Sequence, residues 1–102
     1  MFTKTYLKTR PVCKVKFRLT KQQVGDVDEV HIAGEFNDWD TRADSMKKLK
    51  NGDFTYVLDL KKGNVYQFRY LLNKTEWIND EMADGYSPSG FPGVDNSVIS
   101  LT

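Results

Sequence analysis

Three stretches of this chain place an apolar side chain at every second residue, a period that suits strands and no helix. Cys13, Val15, Phe17 and Leu19 alternate with Lys14, Lys16, Arg18 and Thr20. Phe54, Tyr56, Leu58 and Leu60 alternate with Thr55, Val57 and Asp59, and Tyr66, Phe68, Tyr70 and Leu72 repeat the pattern. Val30 and Ile32 alternate with polar neighbours before Gly34 ends the run. Turn residues separate the stretches: Gln22 to Asp28 around Gly25, Asn51-Gly52, Lys62-Gly63-Asn64, and Ser87 to Gly93. Asn-Gly between alternating runs is the strongest short hairpin signal. The expected strands are residues 13–19, 29–36, 46–50, 54–60, 66–72 and 97–101, with no helix, repeat or linker between them. The pattern predicts an all-β sandwich of about seven or eight strands. Its expected core contains Cys13, Val15, Phe17, Val30, Ile32, Leu58, Phe68 and Tyr70.

At 102 residues the chain is one domain, the size of an immunoglobulin-like sandwich and far below a catalytic barrel of roughly 250 residues. Residues 1–11 read as an N-terminal extension and 12–102 as the domain. Fifteen basic and 14 acidic side chains leave a net charge of +1, which creates no long-range field for nucleic acid or an anionic membrane. Lys14, Lys16 and Arg18 then read as a solvated strand face. The single Cys13 forms no internal disulfide and falls among buried positions. Met1 to Lys8 holds no apolar run of signal-peptide length, and no stretch approaches about 18 apolar residues. The expected location is the cytoplasm.

Trp39 is the residue that a core does not explain. It sits between Asp38 and Asp40 in the polar loop that follows Gly34, and a large ring in an acidic loop is the informative exception to apolar burial. Sugars suit such rings, because the C–H face of a pyranose lies on an aromatic plane while its hydroxyls bond polar groups at the rim. Strand parity adds a second residue. With Tyr66, Phe68, Tyr70 and Leu72 inward, Gln67, Arg69 and Leu71 face outward, so Arg69 points to solvent on the strand leading to Trp77.

Four pieces in order carry a family likeness: Gly34-Glu35-Phe36-Asn37-Asp38-Trp39, then Phe68-Arg69-Tyr70-Leu71-Leu72-Asn73, then Trp77-Ile78-Asn79-Asp80, then Asn96-Ser97-Val98. Together they resemble the starch- and glycogen-binding modules at the N-termini of branching enzymes and isoamylases, and those on the β subunits of AMP-activated kinases. The likeness spans roughly Val12 to Leu101 and implies an early-set, immunoglobulin-like β-sandwich that binds α-glucan. It implies that Trp39 and Trp77 stack on glucose rings and that Arg69 and Asn96 bond hydroxyls. Two departures stand out. Asn73-Lys74-Thr75-Glu76 replaces a tighter Asp-Gly turn. Phe91-Pro92-Gly93-Val94 occupies the loop that, in the kinase modules, packs a hydrophobic side chain against the glucan. Phe91, Val94 and Glu76 are therefore accessory candidates.

Each residue has a plainer reading. Trp39 caps an open end of the sandwich, Trp77 folds inward beside Ile78, Arg69 pairs with a carboxylate such as Glu76, and Asn96 is a turn residue. Asp26-Val27-Asp28-Glu29 and Asp38-Trp39-Asp40 lack the central glycine and terminal glutamate of a calcium loop. One histidine and one cysteine make a closed zinc site unexpected, and no metal or cofactor is implied. Glycoside hydrolysis needs two carboxylates about 5–9.5 Å apart flanking one bond, and nothing marks such a pair. The expectation is a non-catalytic module whose partner is glycogen, starch or a maltooligosaccharide. The alternatives are a protein-interaction module on the same fold, or a separately encoded accessory subunit of an α-amylase-superfamily enzyme.

Overall fold

The computed structural model describes residues 1–102, arranged as nine strands, one α-helical turn (Lys21–Val24) and one 3-10 turn (Glu35–Asn37). The strands are β1 (Phe2–Tyr6), β2 (Val12–Leu19), β3 (Val30–Gly34), β4 (Lys47–Lys48), β5 (Phe54–Lys61), β6 (Val65–Leu72), β7 (Glu76–Ile78), β8 (Gly85–Pro88) and β9 (Asp95–Ser100). They form two antiparallel sheets. One runs β1-β2-β5-β4; the other runs β3-β6-β9-β8, with β7 also paired to β6. The architecture is an all-β sandwich. No helix is long and apolar enough to cross a membrane.

The alternating residues form the layer between the sheets. Cys13, Val15, Phe17 and Leu19 of β2 meet Val30, Ile32, Phe68, Tyr70 and Leu72 of the facing sheet in one buried cluster. Phe17 contacts Phe68 edge-on with ring centres 5.4 Å apart, and Phe68 meets Tyr70 in the same way at 5.6 Å, the arrangement that aromatic quadrupoles favour. Of the expected core residues, Leu58 alone is only half-buried.

The segment set apart as residues 1–11 is largely part of the sandwich. β1 pairs with β2 along its whole length, and the Phe2 ring reaches Phe17 and Phe68 at 5.8 and 6.0 Å. The Met1 amino group donates to Asp80 Oδ2 at 2.6 Å. Asp80 is fully buried and also accepts from the Tyr70 hydroxyl at 2.6 Å. Its negative charge and the burial of the ring push the Tyr70 phenol well above its ordinary value, burial being the larger cause.

The turns differ from expectation in instructive ways. The expected polar turn after Thr20 is a single helical turn, Lys21–Val24, held by a reciprocal cap between Thr20 and Gln23. Three residues, Lys50, Asn51 and Gly52, join β4 to β5 beyond the Leu49–Asp53 pair. Gly52 takes the left-handed position of that loop, with φ 92°, as three-residue hairpins require. Between β6 and β7 the residues Asn73, Lys74 and Thr75 turn the chain, the first two with φ 48° and 64° and Thr75 N donating to Leu72 O at 3.0 Å. This is a three-residue hairpin loop without glycine, closed by the Leu72–Glu76 pair. The Asn73 side chain holds it by accepting from the backbone of Asp28 and Glu29.

Candidate functional site

Register brings the candidate residues onto one face. On β6, Gln67, Arg69 and Leu71 point away from the core layer. Leu71 lies opposite Trp77 on β7, and Gln67 lies opposite Val98 on β9. Cross-strand partners share a face and residues two apart share it too, so Trp77 and Asn96 stand on the Arg69 side. Trp39 reaches that side from the loop after β3, completing an open cleft of about 310 Å3 lined by Glu35, Trp39, Gln67, Arg69, Ser89, Phe91 and Asn96.

Arg69 lies between the cleft and Trp77. It lines the cleft with Trp39, and its guanidinium carbon lies 5.0 Å from the Trp77 ring centre, within cation–π range. It enters no ion pair, so the expected bridge to Glu76 is absent; Trp77 takes that place. Its Nε is buried without a hydrogen-bond partner. Trp77 does not fold inward. It is 39% exposed.

Asn96 is a strand residue rather than a turn residue, and only 6% exposed. Its Nδ2 donates to Gln67 Oε1 at 3.0 Å, while its Oδ1 has no partner. The cleft-lining residues thus include an unpaired donor on Arg69 and an unpaired acceptor on Asn96. Both atoms are shielded from solvent.

The Trp39 loop is held in a costly conformation. Asp38 and Trp39 both adopt left-handed backbone, φ 55° and 58°, which is disfavoured for a residue as bulky as tryptophan. Trp39 N donates to Gly34 O at 2.8 Å. Asn37 accepts from Gly34 N and donates to Ile32 O, both at 3.0 Å, and donates to Asp44 Oδ2 at 2.7 Å. Asp44 in turn accepts from the Tyr56 hydroxyl at 2.7 Å. That hydrogen bond raises the Tyr56 phenol above its ordinary value, with burial and the Asp44 charge adding to it. The clamp therefore ties the loop of one sheet to a strand of the other.

Phe91 lines the cleft and is 69% exposed. Val94 and Glu76 do not line it. Leu71 faces outward as parity requires, yet is buried. Sequence reasoning passed over Glu35, Gln67 and Ser89. Gln67 was legible from its parity with Arg69. Glu35 and Ser89 carried no signal, because loop paths bring them in. Glu35 Oε1 accepts from Gln67 N at 2.7 Å, extending the sheet ladder beyond the end of β3.

No protein-family model matches the chain, and neither does any curated protein. The likeness to glucan-binding modules rests on the motif residues themselves. No group of three or more His, Cys, Asp or Glu side chains is placed to hold a metal ion.

Proposed function

We propose that this domain is a non-catalytic binder of α-1,4-linked glucan: glycogen, starch or maltooligosaccharide. The observation that carries the reading is the convergence of Trp39, Arg69 and Asn96 on one open cleft, with Trp77 stacked on the same Arg69. Trp39 and Trp77 supply ring faces. Arg69 offers N–H donors in a planar fork, and the Asn96–Gln67 amide pair beside it adds polar groups for vicinal hydroxyls. Phe91 adds apolar area at the rim. An open cleft desolvates few groups fully, so a single domain binds weakly, in the micromolar to millimolar range. Branched glucans compensate by presenting many chain ends.

Titrating tryptophan fluorescence with maltoheptaose, with cellohexaose as competitor, tests the reading, and a reducing-end assay on soluble starch tests for turnover. Saturable quenching by maltoheptaose, weaker competition by cellohexaose and no new reducing ends are expected. Equal or absent binding of the two oligosaccharides would favour a protein-interaction role for the aromatic face. Turnover that tracks the purified protein would overturn the non-catalytic reading.

A further inference from the structure

The same sheet face carries a second depression, of about 460 Å3, that the glucan cleft leaves unused. It is lined by His31 and Leu71, cross-strand partners on β3 and β6, together with Glu29, Thr41, Arg42 and Lys74. It holds no aromatic ring apart from the imidazole, so it offers little for stacking. Its chemistry is that of an oxyanion site. His31 is 9% exposed and its Nδ1 has no hydrogen-bond partner, an uncommon state for a buried polar atom. Arg42 enters no ion pair, leaving free a guanidinium whose planar fork matches phosphate. Thr41 supplies a hydroxyl beside it. Lys74 meets only Glu29, at 3.7 Å, and both side chains are well exposed. Such pairs contribute little, so an incoming dianion outcompetes Glu29 for Lys74.

We infer that this depression is a phosphate subsite, and that its ligand is a phosphomonoester borne on the glucan; the second half rests on the glucan reading above. Two placements argue for the glucan as the source. Thr41 and Arg42 follow Trp39 on one loop, so that loop divides the cleft from the depression. Leu71 follows Arg69 by two residues on β6, a separation of about 7 Å along the strand, the scale of a sugar ring. The tight Asn73-Lys74 turn, fastened to the backbone of Asp28 and Glu29, holds Lys74 at the rim.

Amide chemical-shift titrations of the whole chain test the inference. Inorganic phosphate and glucose 6-phosphate, added to millimolar concentration, are expected to shift His31, Thr41 and Arg42. Arg42→Gln is expected to weaken that binding by about tenfold, and Glu29→Gln to tighten it, with maltoheptaose affinity unchanged in both. A maltooligosaccharide carrying a 6-phosphate is expected to bind at least about tenfold tighter than its plain counterpart, an advantage that Arg42→Gln removes. Absence of phosphate-induced shifts at these residues would overturn the subsite. Equal affinity for phosphorylated and plain chains, or equal affinity for glucose 6-phosphate and the phosphorylated chain, would overturn the glucan as its source. Failure of the glucan reading looks different: maltoheptaose then leaves Trp39 and Trp77 unshifted while phosphate still shifts His31.

Discussion

The guanidinium carbon of Arg69 lies 5.0 Å from the centre of the Trp77 ring. The contact joins a strand in the middle of its sheet to the short strand β7, and fixes an otherwise exposed indole on the face that carries Trp39 and Asn96. The contact occupies the face of the guanidinium, and Arg69 also lines the cleft beside Trp39.

Trp77→Ala is expected to abolish retention on glycogen in affinity electrophoresis while leaving the melting temperature nearly unchanged. The ring lies outside the core layer, whereas truncating a core tryptophan costs about 3–5 kcal/mol. A large fall in melting temperature would place Trp77 in the packing instead.

Tyr56→Phe is expected to weaken maltoheptaose binding although Tyr56 is absent from the cleft lining. Its hydroxyl is one of two side-chain donors to Asp44, and Asp44 steadies the strained Trp39 loop. Leaving that carboxylate oxygen unpaired costs about 1–3 kcal/mol. Trp39 fluorescence anisotropy in the free protein is expected to fall, reporting a looser ring; unchanged anisotropy and affinity would remove the clamp from the site.

Gly34→Ala is expected to destabilise the fold by about 1–3 kcal/mol, as overpacking does. Its extended backbone suits any residue, but an added Cβ would lie 2.5 Å from Gln67 O and 2.7 Å from Phe68 Cβ. The obstruction is backbone on β6, which cannot swing aside. Urea denaturation of the variant measures the loss.

Stability is expected to fall in acid partly through Asp53. Its carboxyl accepts from Lys21 N and Arg18 Nη2 at 2.8 and 2.6 Å, and these bonds hold its pKa below the ordinary 3.8. A group depressed on folding stabilises above its unfolded value and loses that contribution as pH drops through the folded one. Comparing wild type with Asp53→Asn in urea, the difference is expected to be full near neutrality and to shrink below about pH 4. A gap independent of pH would exclude Asp53 from the titration.

Much of the sandwich was legible in the chain, for a local reason. Alternation is a property of consecutive residues, so the inward set Cys13 to Leu19 and the outward direction of Arg69 follow from the pleat alone. Three of the strands were not legible. In β1, Lys4 stands between Phe2 and Tyr6 and breaks the apolar alternation, and nothing in Phe2 to Tyr6 announces that β2 will pair with it. β8, Gly85–Pro88, has a single large apolar side chain and ends in proline, which an edge strand tolerates. β7 is too short for any period to show.

The site divides along the same line. Sequence alone determined that Trp39 lies in a polar loop, that Arg69 faces outward, and that Trp77 follows a turn. Tertiary structure decided that Trp77 packs on the arginine that lines the Trp39 cleft, because the β6–β7 register sets Trp77 opposite Leu71. It decided that Asn96 is a nearly buried strand residue bonded to Gln67, and that outward-facing His31 and Leu71 are covered. Those outcomes depend on which strand lies alongside and which loop folds over, and pairing across the chain is set by the packing of the whole domain rather than by any residue's neighbours.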